Sequence, residues 1–330
     1  MPDLTLVVIV IIIALVFDFI NGFHDSANSI ATIVATNVLR PRTAVLLAAF
    51  WNFFGAFVFS VAVAATIGKG VINPDIVNIY IILAALLGAI IWNLITWFYG
   101  IPSSSSHALI GGLIGAGFVS SGINSIIFSG LNKILIFIFV APIVGFLGAT
   151  VFSILMMWVF RNKKPSQVDW LFKKLQIASS SLYSLGHGTN DAQKTMGIIT
   201  LLLVTSGYLA SFSVPLWVIL ISHASIALGT FFGGWRIVKT MGLRITKLKP
   251  FHGFSAETSG ALVLLGTAHF GIPVSTTHVI SGSIMGVGSV RRYSGVRWQI
   301  ARKIVAAWLL TIPMSAIIAG LSYFTISVFL

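Results

Sequence analysis

Ile101-Pro102-Ser103-Ser104-Ser105-Ser106-His107 returns later in the chain as Ile272-Pro273-Val274-Ser275-Thr276-Thr277-His278. Both copies lie inside long apolar stretches and run on into glycine-spaced segments. A second pair accompanies the first: Gly22-Phe23-His24-Asp25-Ser26-Ala27-Asn28 and Gly186-His187-Gly188-Thr189-Asn190-Asp191-Ala192-Gln193-Lys194. The chain therefore consists of two related halves, each carrying one aspartate motif and one Ser/Thr motif.

The setting is a lipid bilayer. The 330 residues are 57% hydrophobic and only 8% charged, with a mean hydropathy of +1.01. Leu4–Ile20, Ala44–Ile67, Ile79–Tyr99, Ile134–Phe160 and Ile304–Leu330 approach or exceed the roughly 20 apolar residues of a membrane helix. The short alternating strands of a membrane barrel are absent from the sequence. No basic n-region precedes the first apolar run and no cleavage site follows it, so that run is expected to be retained. The lack of cysteine excludes disulfides and thiolate chemistry. A net charge of +13 reads as loops facing an anionic membrane surface rather than as a nucleic-acid footprint, because the basic residues sit between spans.

Seventeen of the twenty basic residues fall in four segments: Arg40 with Arg42, Arg161–Lys174, Arg236–Lys249 and Arg291–Lys303. The positive-inside rule places all four in the cytoplasm. Equivalent loops of the two halves carry opposite charge character. Arg40 and Arg42 follow the first aspartate motif, whereas the uncharged Ser206–Pro215 follows the second. Ser121–Lys133 has one lysine, whereas Arg291–Lys303 has five basic residues. The expected fold is all-α and polytopic, with about ten to twelve membrane segments in two inverted-topology repeats that contain broken helices or re-entrant hairpins. Residues 1–160 form the first repeat, 161–174 a basic cytoplasmic linker with a short interfacial helix, and 175–330 the second repeat. Both termini are expected outside. Leu4–Val38 is too long for one simple helix, and 76–118 and 255–288 each read as two spans or as a span plus a hairpin.

Proline is favoured in the first helical turn and serine at the N-cap, so each Ser/Thr motif reads as a helix that begins inside the membrane. Its first amides have no helical partner, and the positive end of the dipole stands behind them. Ser104, Ser105 and Ser106, with Ser275, Thr276 and Thr277, thus form a candidate anion site approached from both halves. Ordinary packing of small polar residues between helices is the competing reading. It is the better one for a single copy, whereas two matching copies favour the site.

The chain has only seven acidic residues: Asp3, Asp18, Asp25, Asp75, Asp169, Asp191 and Glu257. Asp25 and Asp191 are equivalent and lie in apolar surroundings, where a carboxylate needs a cavity and a partner. With Asn28, Asn190 and Gln193 they supply hard oxygen ligands for a small cation or a proton. A buried structural pair of Asp191 with Lys194 is the alternative. Lys194 occupies the place that Asn28 holds in the first half. It either neutralises Asp191 or contacts the anion; a snorkelling lysine is disfavoured because Lys194 lies between Asp191 and the apolar run Met196–Val204. Glu257 reads as a titrating residue or as a first-turn cap. His107 and His278 read as hydrogen-bonding groups, and the remaining histidines show no ligand spacing. Gly111/Gly115 and Gly282/Gly286 read as packing positions.

These motifs resemble the PiT family of inorganic phosphate transporters. The resemblance rests on Asn21–Thr32, His187–Gly197 and Gly271–His278, and extends over essentially the whole chain. It implies a secondary symporter with phosphate at the interface of inverted repeats: Asp25, Asn28, Asn190, Asp191 and Gln193 near coupling ion and substrate, and Ser104–Ser106 and Ser275–Thr277 at phosphate. Sodium-coupled members generally carry Asn where this chain has His24 and Lys194, so the resemblance to the proton-coupled branch implies a proton as coupling ion. That branch also implies entry as a neutral complex with a divalent metal. Sulfate permeases of the family lack the aspartate motifs.

The expected function is therefore phosphate import by proton symport. Sodium coupling and a sulfate permease or anion channel are the alternatives. The phosphate group of Ser104–Ser106 and Ser275–Thr277 includes Gln193 and Lys194. The coupling-ion group comprises Asp25, Asn28, Asn190, Asp191, His24 and Glu257. No resident metal, cofactor or nucleic-acid partner is expected, and a monomer and a homo-oligomer both remain open. An intramembrane hydrolase finds no Ser-His-Asp arrangement, and no Walker-type phosphate loop is present.

Overall fold

A computed structural model describes residues 3–58, 61–290 and 292–329. Arg291 of the last basic segment, and Met1 and Pro2, on which the reading of the N-terminus partly rests, lie outside the described residues. The first half comprises α1 (Leu4–Ala35), α2 (Pro41–Phe54), α3 (Ala62–Gly70), α4 (Ile79–Tyr99), α5 (Ser105–Ser121) and α6 (Phe128–Val159). The second comprises α7 (Pro165–Thr205), α8 (Leu216–Phe232), α9 (Trp235–Lys239), α10 (Pro250–His269), α11 (Thr276–Ser289) and α12 (Trp298–Val328). A π-helical turn, Thr240–Arg244, prolongs α9. No strand occurs among the described residues beyond an isolated bridge, Ile72 to Ile126.

The packing has the pattern of a two-fold pair. The hairpin helix α5 lies against α12, and α11 lies against α6. Likewise α1 packs on α8 and α7 on α2. The contacts match residue by residue. Gly111 and Gly115 face the backbone of Ile312 and Ala316, and Gly282 and Gly286 face that of Pro142 and Phe146. Pro142 and Pro313 both lie inside long helices, α6 and α12. Missing side chains at these glycines let the backbones approach, which is how helices associate where lipid offers no hydrophobic drive.

α1, α4, α6 and α12 are long and apolar enough to span a membrane, as is α5 with the 3-10 turn after it. The pair α8 with Trp235–Arg244, bent by 60°, and the α2–α3 pair bring these to seven. That figure is of the described residues and takes each bent pair as one span; α7, α10 and α11 are further helices of 41, 20 and 14 residues.

Three expectations are corrected. α1 is a single helix of 32 residues, about 48 Å at 1.5 Å per residue, and Asp25 stays inside it. α7 likewise runs for 41 residues through the second aspartate motif. The aspartate motifs therefore do not break helices. Gly22 and Gly188 instead admit the Ile226 and Asn52 backbones of α8 and α2. The expected interfacial helix is not separate, because nothing interrupts α7 after Pro165; its exposed start carries an Asp169–Lys173 pair at 2.8 Å and Lys174 over the Trp170 ring.

Candidate functional site

The Ser/Thr motifs do break the chain, and they do so identically. Gly100 and Gly271 end α4 and α10 in the left-handed region, each at φ 64°, a conformation that glycine adopts without strain. The Ile101 amide then donates to the Thr96 carbonyl and the Ile272 amide to the Thr267 carbonyl, both at 2.9 Å. Thr240 and Thr66 pin the two glycine carbonyls, each at 2.8 Å. Ser104 caps α5 by accepting from the His107 amide, and Ser275 caps α11 by accepting from the His278 amide, both at 3.2 Å. Pro102 and Pro273 precede these caps by two residues rather than entering the first turn, which leaves the other first-turn amides without helical acceptors.

The two helix starts come together. The His107 and His278 rings meet edge to face at 4.8 Å, and His278 stacks on Trp308 at 4.0 Å. His107 Nδ1 and both ring nitrogens of His278 lack a partner of normal geometry, and ring packing holds the two side chains.

The aspartate motifs supply the charges. Lys194 Nζ reaches Asp191 Oδ1 at 2.5 Å, donates to Ser106 Oγ, and donates to the Val274 carbonyl at 3.2 Å. One ammonium thus ties α7 to both Ser/Thr motifs. In the two-fold equivalent, Asn28 Nδ2 donates to Thr277 Oγ1 at 2.9 Å and Thr276 Oγ1 at 3.2 Å. Thr276 Oγ1 donates to Asp191 Oδ2 at 3.3 Å, and Tyr183 OH donates to the Thr276 carbonyl. His24 Nδ1 sits 2.6 Å from Asp25 Oδ1, with its Nε2 3.0 Å from Thr96 Oγ1. His187, which its sequence spacing did not single out, lies one turn before Asp191 with Nε2 at 3.4 Å from Oδ2. Ligand atoms of Asp25, His187 and Asp191 all fall within 4.8 Å of one another, a grouping that could hold a small cation.

Other candidates are placed elsewhere. Gln193 accepts from the Val63 and Ala64 amides at the start of α3. Asn190 donates to the Gly186 and Leu264 carbonyls, while its Oδ1 and Ser105 Oγ remain without partners. Glu257 lies in the middle of α10, not in its first turn, and is not a cap. It accepts from Thr32 and Ser179, each at 2.5 Å, and from Gln176 at 3.0 Å. Thr32, Gln176 and Ser179 were not identified from sequence, because partners 78 to 225 residues apart in the chain leave no local signal. Thr32 does follow Asp25 by seven residues, which places the two on one face of α1. None of the fourteen candidate side chains is more than 4% exposed.

Apolar helices in two equivalent halves, meeting at a buried centre of paired helix starts and carboxylates, define a multi-pass membrane transport protein. A model of the phosphate transporter family matches twice, over residues 21–170 and 160–319. The chain is 56% identical over 320 residues to a probable low-affinity inorganic phosphate transporter of Rhizobium meliloti (strain 1021), covering 97% of this chain and 96% of the relative. It is 45% identical to a protein of the same description from Bacillus subtilis (strain 168), over 98% of both. A solved structure described as the sodium-dependent phosphate transporter superposes with a TM-score of 0.89 at 28% identity, over 99% of this chain and 100% of that one. The chain belongs to the phosphate transporter family and is not an enzyme.

Proposed function

We propose that this protein imports inorganic phosphate across the cytoplasmic membrane by proton symport, alternately opening the buried centre to either side. The observation that carries the coupling ion is the position of Lys194. Its ammonium already holds Asp191 at 2.5 Å, so a sodium ion would compete with a fixed charge for the same carboxylate. The buried centre sets two carboxylates, Asp25 and Asp191, against one ammonium, Lys194. A phosphate anion brings more negative charge, and burying that charge uncompensated is prohibitive. One or more protons taken up with the anion remove the excess, and a divalent metal travelling with phosphate as a neutral complex does so too.

Phosphate is favoured over sulfate by the acceptors. Protonated phosphate donates a hydrogen bond to a carboxylate and sulfate cannot. The capped starts of α5 and α11, with Ser105 Oγ free of partners, supply the donors for its oxygens. Phosphate is also what the close relatives are described as carrying. The sodium-dependent description of the solved neighbour supports the rival coupling ion. On this reading residues 1–160 and 175–330 are inverted repeats joined by the basic segment 161–174, with both termini outside. Asp25→Asn and Asp191→Asn are each expected to abolish concentrative phosphate uptake, Asp191→Asn with lowered thermal stability as well because it strands Lys194. Normal accumulation by either would remove the carboxylates from coupling.

A further inference from the structure

Two buried carboxylates lie outside the Asp25/Asp191 centre, Glu257 with its three donors and Asp18. Asp18 is fully buried, and neither of its oxygens has a hydrogen-bond partner of normal geometry. Thr195 and Asn21 stand beside it, and Thr195 Oγ1 and Asn21 Oδ1 are also without partners. Asp18 and Asn21 on α1 and Thr195 on α7 thus share one buried place, with Thr195 and Asn21 as the polar neighbours of the carboxylate. Asp18 has no ion pair among the described residues, and a carboxylate buried without one is costly in its charged form. A single proton neutralises it. Protonated Asp18 donates to Asn21 Oδ1, and the Thr195 hydroxyl donates to the second carboxylate oxygen.

Its position gives that proton a destination. Asp18, Asp25 and Thr32 follow one another at seven-residue intervals on one face of α1, roughly 10 Å apart along the axis. Thr32 carries the Glu257 contact at 2.5 Å. Asp18 and Glu257 therefore flank the central carboxylates on opposite sides. Thr195 lies one turn beyond Asp191 on α7, and the charges that bear on Asp18 are those of Asp191 and Lys194. Among other titratable groups on helices packed against α1, Glu257 is held by its own three donors and His223 bonds the Asn52 carbonyl. His107 and His278 face each other, and Arg42 and Arg236 are exposed.

We propose that Asp18, with Asn21 and Thr195, is a proton-binding site that loads the central carboxylates from the side of the N-terminus. A proton from water forms an O–H bond on Asp18. That bond breaks as the proton passes to the Asp25/Asp191 centre or to phosphate held there, and Asp18 returns to the carboxylate. The proposal rests on proton coupling.

The test compares wild type, Asp18→Asn and Asp18→Glu in proteoliposomes, using radiolabelled inorganic phosphate. One measurement is phosphate exchange at equal pH on both sides; the other is uphill uptake driven by an inward proton gradient. Asp18→Asn is expected to lose roughly tenfold or more in gradient-driven uptake while exchange changes far less, and Asp18→Glu is expected to restore part of the driven uptake. Three results for a wild type that responds to protons overturn the site alone: a gradient response of Asp18→Asn equal to wild type, equal loss of exchange and driven uptake, or failure of Asp18→Glu to restore either. A wild type that ignores the proton gradient and responds to sodium instead overturns the coupling reading together with this site.

Discussion

Lys194 concentrates the chemistry of the centre in one side chain. It neutralises Asp191, binds Ser106 and reaches Val274, at 1% exposure. Removing one member of a buried ion pair leaves an uncompensated charge and costs about 3–5 kcal/mol. Lys194→Met is therefore expected to lower the thermal stability of the detergent-solubilised protein substantially, and Asp191→Asn in the same background to restore part of it. A melting temperature unchanged by Lys194→Met would show that the ammonium is not the partner of Asp191. Much of this was legible in the residues: an aspartate and a lysine three apart in an apolar helix must meet or face water. What the ammonium touches beyond Asp191 was not legible, because Ser106 and Val274 lie 88 and 80 residues away.

At the scale of elements, the two breaks before α5 and α11 are built from the same parts: a left-handed glycine, a proline, and a serine cap. Ser104→Ala and Ser275→Ala each remove one cap, worth about 1 kcal/mol of helix stability. Each is expected to weaken phosphate binding, and the two by similar factors. A strongly unequal effect in equilibrium binding of labelled phosphate would contradict the two-sided anion site. Gly271→Ala forces an alanine into the left-handed region, at a cost of about 1–2 kcal/mol, and Gly100→Ala does the same in the other half. The caps were readable from sequence because proline and serine act locally. The continuity of α1 and α7 was not. Gly22, Gly186 and Gly188 are local helix-breaking signals, yet Gly22 and Gly188 serve close approach to α8 and α2, a tertiary reason that overrides propensity. The heptad spacing of Asp18, Asp25 and Thr32 was present in the sequence, but gained meaning only when α1 proved to be one helix.

At the scale of the molecule, the absence of cysteine makes the native chain a clean background for topology. Ser166 in the basic segment and Ser211 in the uncharged loop between α7 and α8 are both exposed. Single variants Ser166→Cys and Ser211→Cys are expected to react with a membrane-impermeant maleimide from opposite sides, Ser211→Cys from outside. Labelling from one side would contradict the opposed charge pattern from which the inverted repeats were read. Ser106 and Thr277 meet equivalent partners, Lys194 and Asn28, around one centre.

Uptake of labelled phosphate by the wild-type protein in liposomes, under an inward proton gradient in choline medium with no sodium, tests the central claim most directly. Uphill accumulation that excess sulfate leaves unchanged is the predicted result. Accumulation that appears only when sodium replaces choline would contradict it.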